Sequence, residues 1–210
     1  MEKLFLSVAA GALLLTSCVS NPEGKKAETT DSVETTETVG TGNTLTVDTS
    51  ASELAWTGRK VSGQHHGTVK IKSGSLTVDG GQLTGGNFVA DLTTITNHDL
   101  EGEYKGKLEG HLKSPDFFDV ENHPEATFEI TNVAPGSEAG VVKVSGNLTI
   151  RGISKNITFD AHVEEATDSS VKATADFNIA REDWGVNYAG QADDLISKEI
   201  NLKVTLVAKA

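Results

Sequence analysis

The chain has 210 residues, 18 basic against 30 acidic side chains and a net charge of −12, with only 5% aromatic residues. That length suits one domain with a real core, or a domain and a tail. The acidic balance argues against nucleic acid and anionic lipid surfaces as partners, because both repel it.

Met1–Leu15 sets Lys3 ahead of the apolar run Leu4–Leu15, too short to span a bilayer and suited to a signal-peptide h-region over residues 1–17. Leu15-Thr16-Ser17-Cys18 follows and holds the only cysteine. This run resembles the lipobox of bacterial lipoproteins, which implies cleavage before Cys18 and attachment of diacylglycerol, with palmitate, at that residue. An exported chain with one unpaired thiol fits that use; a plain secretory signal with an incidental cysteine is the alternative. Residues 18–43 lack aromatics and are rich in threonine and glutamate, so a disordered tether is expected. A flexible coil of about 25 residues would reach roughly 25–30 Å.

From Thr44 the chain reads as strand after strand. Leu54-Ala55-Trp56-Thr57-Gly58-Arg59-Lys60 alternates bulky apolar residues with others, the pattern of a half-buried strand. Thr68-Val69-Lys70-Ile71-Lys72 alternates again, and Asp79-Gly80-Gly81 signals a tight turn before the next strand. At Asn97-His98-Asp99 the period changes. Leu100, Tyr104, Leu108 and Leu112 recur every four residues, which predicts a helix over about 99–114 with those residues on one face. Asn97 or Asp99 would cap it, and Glu101 and Glu103 favour its positive end. Gly102, Gly106 and Gly110 each cost about 1 kcal/mol relative to alanine, so the helix depends on packing its apolar stripe. Ser114-Pro115 ends it.

Phe117 and Phe118 follow side by side and cannot both face inward from one strand. A loop that plugs one end of the β-structure is expected, with completion of the core as the alternative. Strands resume at Ala126–Val133, Val141–Ile150, Ile157–Val163, Val171–Ile179 and Ile200–Ala208. About eight or more antiparallel strands with one internal helix fit either a β-barrel or a β-sandwich. Gly58, Ala90, Ala126, Gly146, Ala161, Ala173 and Ala175 fall in phase with larger apolar residues. Either they leave room for a slender ligand in a barrel of about eight strands, or they accommodate bulky neighbours such as Trp56 and Phe159.

Several runs together resemble the YceI family: Trp56-Thr57-Gly58-Arg59-Lys60, His65-His66-Gly67-Thr68-Val69, Leu83-Thr84-Gly85-Gly86-Asn87-Phe88, His111–Val120, His123–Phe128, Gly146–Gly152 and Arg181-Glu182-Asp183-Trp184-Gly185. The likeness extends over nearly all of 44–210. It implies an all-β fold, an extended antiparallel eight-stranded lipocalin-like barrel over 44–210 with the one internal helix. It also implies that the interior takes a long isoprenoid chain, as in a polyprenyl phosphate or an isoprenoid quinone, without catalysis and without a cofactor. On that reading Trp56, Phe88, Leu108, Phe117, Phe118, Phe128, Phe159, Phe177 and Arg181 are the candidate lipid-binding residues. Arg181 would offer a rim arginine to a pyrophosphate, or simply fix its turn. Many relatives look like soluble periplasmic proteins, so an anchor at Cys18 is a departure. A periplasm-facing place in the cell envelope is expected, the outer membrane being favoured because Val19 is not the aspartate of an inner-membrane retention signal. A homodimer stays open.

Chemistry has few candidates. His65 and His66 are strand neighbours that point to opposite faces, and His98, His111, His123 and His162 are scattered without metal-ligand spacing. Asp116, Asp119, Glu121 and Glu125 would pair as acid and base only if they converged. No Gly-x-Ser-x-Gly elbow occurs. The rival readings are a surface β-sandwich that binds a protein or glycan through its loops, and an enzyme with a convergent polar pocket.

Overall fold

The computed structural model describes residues 19–34 and 40–210. The expected signal peptide, 1–17, and Cys18 lie outside the described residues. Two short strands, β1 (Lys25–Lys26) and β2 (Glu28–Asp31), precede β3 (Asn43–Val47), β4 (Glu53–Lys60), β5 (Gly63–Asp79) and β6 (Gln82–Asn97). Helix α1 (Gly102–Lys113) comes next, then β7 (Glu125–Pro135), β8 (Val141–Ile150), β9 (Ile153–Ala166) and β10 (Ser170–Ala180). A 3-10 turn, Arg181–Trp184, leads through β11 (Gly190–Gln191) to β12 (Asp194–Lys209).

Eight strands pair antiparallel around a closed barrel, β4 to β5 to β6 to β7 to β8 to β9 to β10 to β12 and back to β4. The architecture is therefore the barrel and not the sandwich. β3 prolongs the β4 position, since it too lies between β12 and β5. The break between them is a turn in which Asp48 Oδ1 accepts from the Ser50 and Ala51 N–H groups. Alternation sets the faces: Ile200, Leu202, Val204 and Leu206 of β12 all line the interior.

Up-and-down connectivity sends successive connections to opposite ends. The β4–β5 turn, the β6–α1–β7 passage, the β8–β9 turn and the β10–β12 passage share one end, called here the helix end. The β8–β9 turn is the two-residue hairpin Arg151-Gly152, with φ of 53° and 72°. Positive φ at both central residues matches the twist of the flanking strands.

Helix α1 is shorter than the spacing predicts. Asn97 is fully buried and its Oδ1 accepts from the Leu100 N–H, so Leu100 belongs to the turn before the helix. Leu112 is buried and Leu108 half-buried, but Tyr104 is 74% exposed. The expected four-residue stripe is thus corrected to Leu108 and Leu112. Only the second half of the helix packs on the barrel, fastened where Glu109 accepts from Thr96 Oγ1 and the Asn97 N–H. Ser114 ends the helix in an extended conformation, as the following proline requires.

The expected disordered tether over 18–43 also needs correction in its described part. β1 pairs parallel with β10, and β2 pairs antiparallel with β9. The reason lies in the barrel. β9 and β10 pair with each other only between 161–166 and 171–175. Nearer the helix end they part, leaving backbone groups that need partners. The N-terminal segment supplies them, and Ala27 is buried in the core between the two strands. Asn178 Nδ2 donates to the Pro22 carbonyl, and Ser197 Oγ donates to Asn21 Oδ1.

Candidate functional site

The barrel interior holds a cavity of about 190 Å³. At about 10–15 Å³ per water, that is room for on the order of a dozen water-sized groups. Its lining is almost entirely apolar and draws on every barrel strand.

Two aromatic groups dominate it. The first is a belt across β6, β7, β9 and β10. Phe88 and Phe128 lie 5.3 Å apart, Phe128 and Phe159 5.7 Å, and Phe159 and Phe177 stack at 4.0 Å with planes 10° apart. These tilted and stacked contacts add to the area the rings bury. The second group sits at the helix end and comprises Trp56, Phe117 and Phe118. The loop carrying the two phenylalanines is held from outside. A guanidinium nitrogen of Arg151 donates to the Pro115 carbonyl at 2.7 Å and also to that of Phe117. The Phe118 N–H donates to Leu112 O. Phe117 meets the rings of His111 and Tyr188 at 4.9 and 5.6 Å. Both phenylalanines line the cavity while Phe117 is itself buried, so plugging the end and completing the core are one arrangement.

The small inward residues divide. A Cβ at Gly146 would lie 2.3 Å from Phe128 Cζ, so that glycine makes room for a ring. A Cβ at Gly58 would meet nothing within 4 Å, so that glycine opens onto free space. Ala90, Ala126, Ala161, Ala173 and Ala175 also line the cavity.

Arg181, Ser197 and Glu199, three of the polar residues at the lining, are engaged elsewhere, whereas the buried Trp56 Nε1 has no hydrogen-bond partner among the described residues. Arg181 is buried, and its Nε donates to Ser197 O at 2.8 Å while another guanidinium nitrogen donates to Val186 O at 2.6 Å. Burial pushes its pKa below the ordinary value, with Glu182 acting in the opposite sense. Its geometry serves the turn. Glu199 accepts from Asn178 Nδ2, and the Ser197 hydroxyl is bound to Asn21.

Of the nine candidates read from the sequence, Trp56, Phe88, Phe117, Phe118, Phe128, Phe159, Phe177 and Arg181 all border the cavity. Leu108 does not; it packs behind, against the cluster around Trp56 and Leu112. Sequence reasoning passed over aliphatic lining residues such as Leu54, Ile179 and Leu202, although strand alternation marks them as inward. Among the described residues, no group of three or more His, Cys, Asp or Glu is arranged to hold a metal ion. His65 and His66 instead gather on Asp99, His65 Nδ1 lying 2.7 Å from its carboxylate. Burial acts to raise the Asp99 pKa, but hydrogen bonds from the His66 N–H, His65 and Asn97 hold it below the usual range. Glu125 pairs with Lys72, whereas Asp119 accepts from Asn122.

The YceI-like domain family matches residues 45–208, and the chain belongs to that family. A UPF0312 protein of Pseudomonas putida (strain W619) is 30% identical over 146 residues, covering 66% of this chain and 72% of the relative. Among solved structures, Burkholderia cenocepacia BcnA superposes with a TM-score of 0.65 at 20% identity, over 78% of this chain and 99% of that one. A polyisoprenoid binding domain from Saccharophagus degradans, implicated in plant cell wall breakdown, superposes with a TM-score of 0.62 at 17% identity, over 79% and 98%. Both share this fold.

Proposed function

Proceeding from membership of the YceI-like family, we propose that this protein binds the chain of an isoprenoid-type lipid inside its barrel and carries or sequesters it in the cell envelope. The observation that carries this reading is the cavity in the barrel interior, lined by aromatic rings and small residues, into which Gly58 opens. A hydrocarbon chain needs no polar contacts there. At about 0.8 kcal/mol per buried CH₂, burying about ten such groups offers roughly 8 kcal/mol, close to micromolar affinity before the costs of association. The polyisoprenoid binding domain of like fold supports the choice of ligand class. Polyprenyl phosphates and isoprenoid quinones both have such chains.

The role proposed is binding without catalysis. Its support is that the ionisable groups bordering the cavity, Arg181 and Glu199, together with Ser197, already hold the turn and the N-terminal segment. We place the protein in the envelope on its signal-like Leu4–Leu15 run and the lipobox-like Leu15–Cys18, with acylation at Cys18, a periplasm-facing domain and the outer membrane as its site. The test is mass spectrometry of lipid extracted from the full chain purified from a bacterial host. A co-purifying isoprenoid lipid, depleted when Gly58→Leu fills the cavity, is the expected result. A chain that yields no lipid and takes up none from added isoprenoid overturns the reading.

A further inference from the structure

Five large apolar residues are exposed among the described residues, Val33, Val61, Tyr104, Ile153 and Leu195, at 37–74%. Single exposed apolar residues are ordinary on a protein surface. Their distribution is not. Val61 lies in the β4–β5 turn and Leu195 at the start of β12, joined by the Val61 N–H donating to Leu195 O. Ile153 follows the β8–β9 turn, and Tyr104 stands on the outward half of α1. Val33 lies beyond β2, clasped through its backbone by Asn147 of β8. Four of the five are therefore at the helix end, Val33 lies on the outer wall in the half nearer that end, and none is at the opposite one.

The chain enters the barrel at that same end. A guanidinium nitrogen of Arg59, next to the β4–β5 turn, donates to Ser20 Oγ at 3.2 Å and to Asn21 O at 3.4 Å. Asn21 is tied in turn to Ser197, near the start of β12. Ser20, two residues after Cys18 in the chain, is thus held at this rim. The segment from Asn21 to Asp31 then seals the gap between β9 and β10.

We propose that the helix end is a membrane-docking surface: its ring of exposed apolar side chains rests on a zwitterionic phospholipid bilayer, and the fastened N-terminal segment holds the barrel end-on. The net charge of −12 selects zwitterionic over anionic headgroups. Apolar contact of this kind is insensitive to salt, unlike electrostatic attachment to a charged surface. The orientation comes from the ring and the fastened segment. The retention rests on the acylation of Cys18 proposed above.

The experiment places single cysteines on the full chain, each labelled with the polarity-sensitive dye NBD and reconstituted into phosphatidylethanolamine–phosphatidylcholine vesicles. Tyr104→Cys and Leu195→Cys report the helix end; Ser137→Cys and Asp168→Cys report the opposite end. The dye is expected to brighten and shift to the blue at the first pair and to stay unchanged at the second, equally at low and high salt. In a Tyr104→Cys chain, adding Val61→Glu and Leu195→Glu should abolish the shift without releasing the protein from sedimenting vesicles. Retention with no difference between the ends, or with the shift at Ser137→Cys and Asp168→Cys, overturns the docking surface alone. A chain that does not sediment with vesicles overturns the acyl anchor, and the docking with it. Neither result bears on lipid extracted from the cavity.

Discussion

The β7–β8 wall and the β9–β10 seam are both antiparallel pairs, but different forces keep them closed. β7 and β8 pair from Thr127–Thr149 to Pro135–Val142, interrupted by one bulge. Gly146 of that wall gives up its side-chain space to Phe128, so backbone bonds and a packed ring reinforce each other. β9 and β10 part halfway along. Inside the gap, Phe159 and Phe177 stack at 4.0 Å; outside it, β1 and β2 supply the missing backbone partners. A barrel wall can thus be completed by a segment that does not belong to the barrel. The outer layer of that closure depends on hydrogen bonds that water can replace, whereas the β7–β8 ladder is backed directly by packing that water cannot replace.

Removing the packed ring should give the largest effect. Phe128 is buried and touches both Phe88 and Phe159. Phe128→Ala is expected to cost about 3–5 kcal/mol, read as a lowered denaturation midpoint. A cost near 1 kcal/mol would mean that the wall is held by its backbone alone. Overpacking the same place from the opposite strand comes next. Gly146→Ala drives a Cβ against Phe128 and the Glu129 carbonyl, for about 1–3 kcal/mol.

These two predictions rest on features that sequence pattern shows in part. Alternation located the strands, because each inward residue must reach a core and each outward one water. It placed Gly146 in phase with Val144 and Leu148, but phase alone does not distinguish a glycine that yields to a ring from one that opens onto a void. Only the register that sets Ile130 against Gly146 brings Phe128 over it. The helix is visible as a change of period, yet Tyr104 is exposed although it shares a face with Leu108, because spacing does not reveal where the barrel stops. The N-terminal segment was illegible for a different reason. Its polar composition speaks for disorder, but its attachment is made by main-chain groups, which every residue carries alike. Asn178 and Asn201, buried beneath it, read as ordinary outward-facing asparagines.

Deleting residues 19–34 tests the seam directly. The lost backbone bonds are worth about 0.5–1.5 kcal/mol each, but ordering each residue costs about 1–2 kcal/mol, so the two nearly cancel. A net loss of about 0–2 kcal/mol is expected, with the barrel still folded. Hydrogen exchange should show where the change falls: faster exchange at Phe177, Asn178 and Ile157, and none at Val144 or Leu148. Equal acceleration on both walls would mean that the segment stabilises the whole barrel and not one gap in it.

The smallest expected effect is the most discriminating for the cavity. Gly58 pairs with Ile200 and His65, and its φ lies outside the left-handed region, so alanine fits its backbone. The added methyl meets nothing within 4 Å. Gly58→Ala should therefore be neutral or stabilising by up to about 1 kcal/mol, the gain coming from the reduced freedom of the unfolded chain. Gly146→Ala carries the same chemical change and should go the other way, so the sign of the difference between them reads out which stretch of the interior is filled. A midpoint for Gly58→Ala as low as that for Gly146→Ala would require the interior at β4 to be packed, and an empty cavity there would be untenable. A neutral Gly58→Ala with diminished lipid on extraction would tie the space at this glycine to the ligand, because stability and capacity would then have been separated at a single carbon atom.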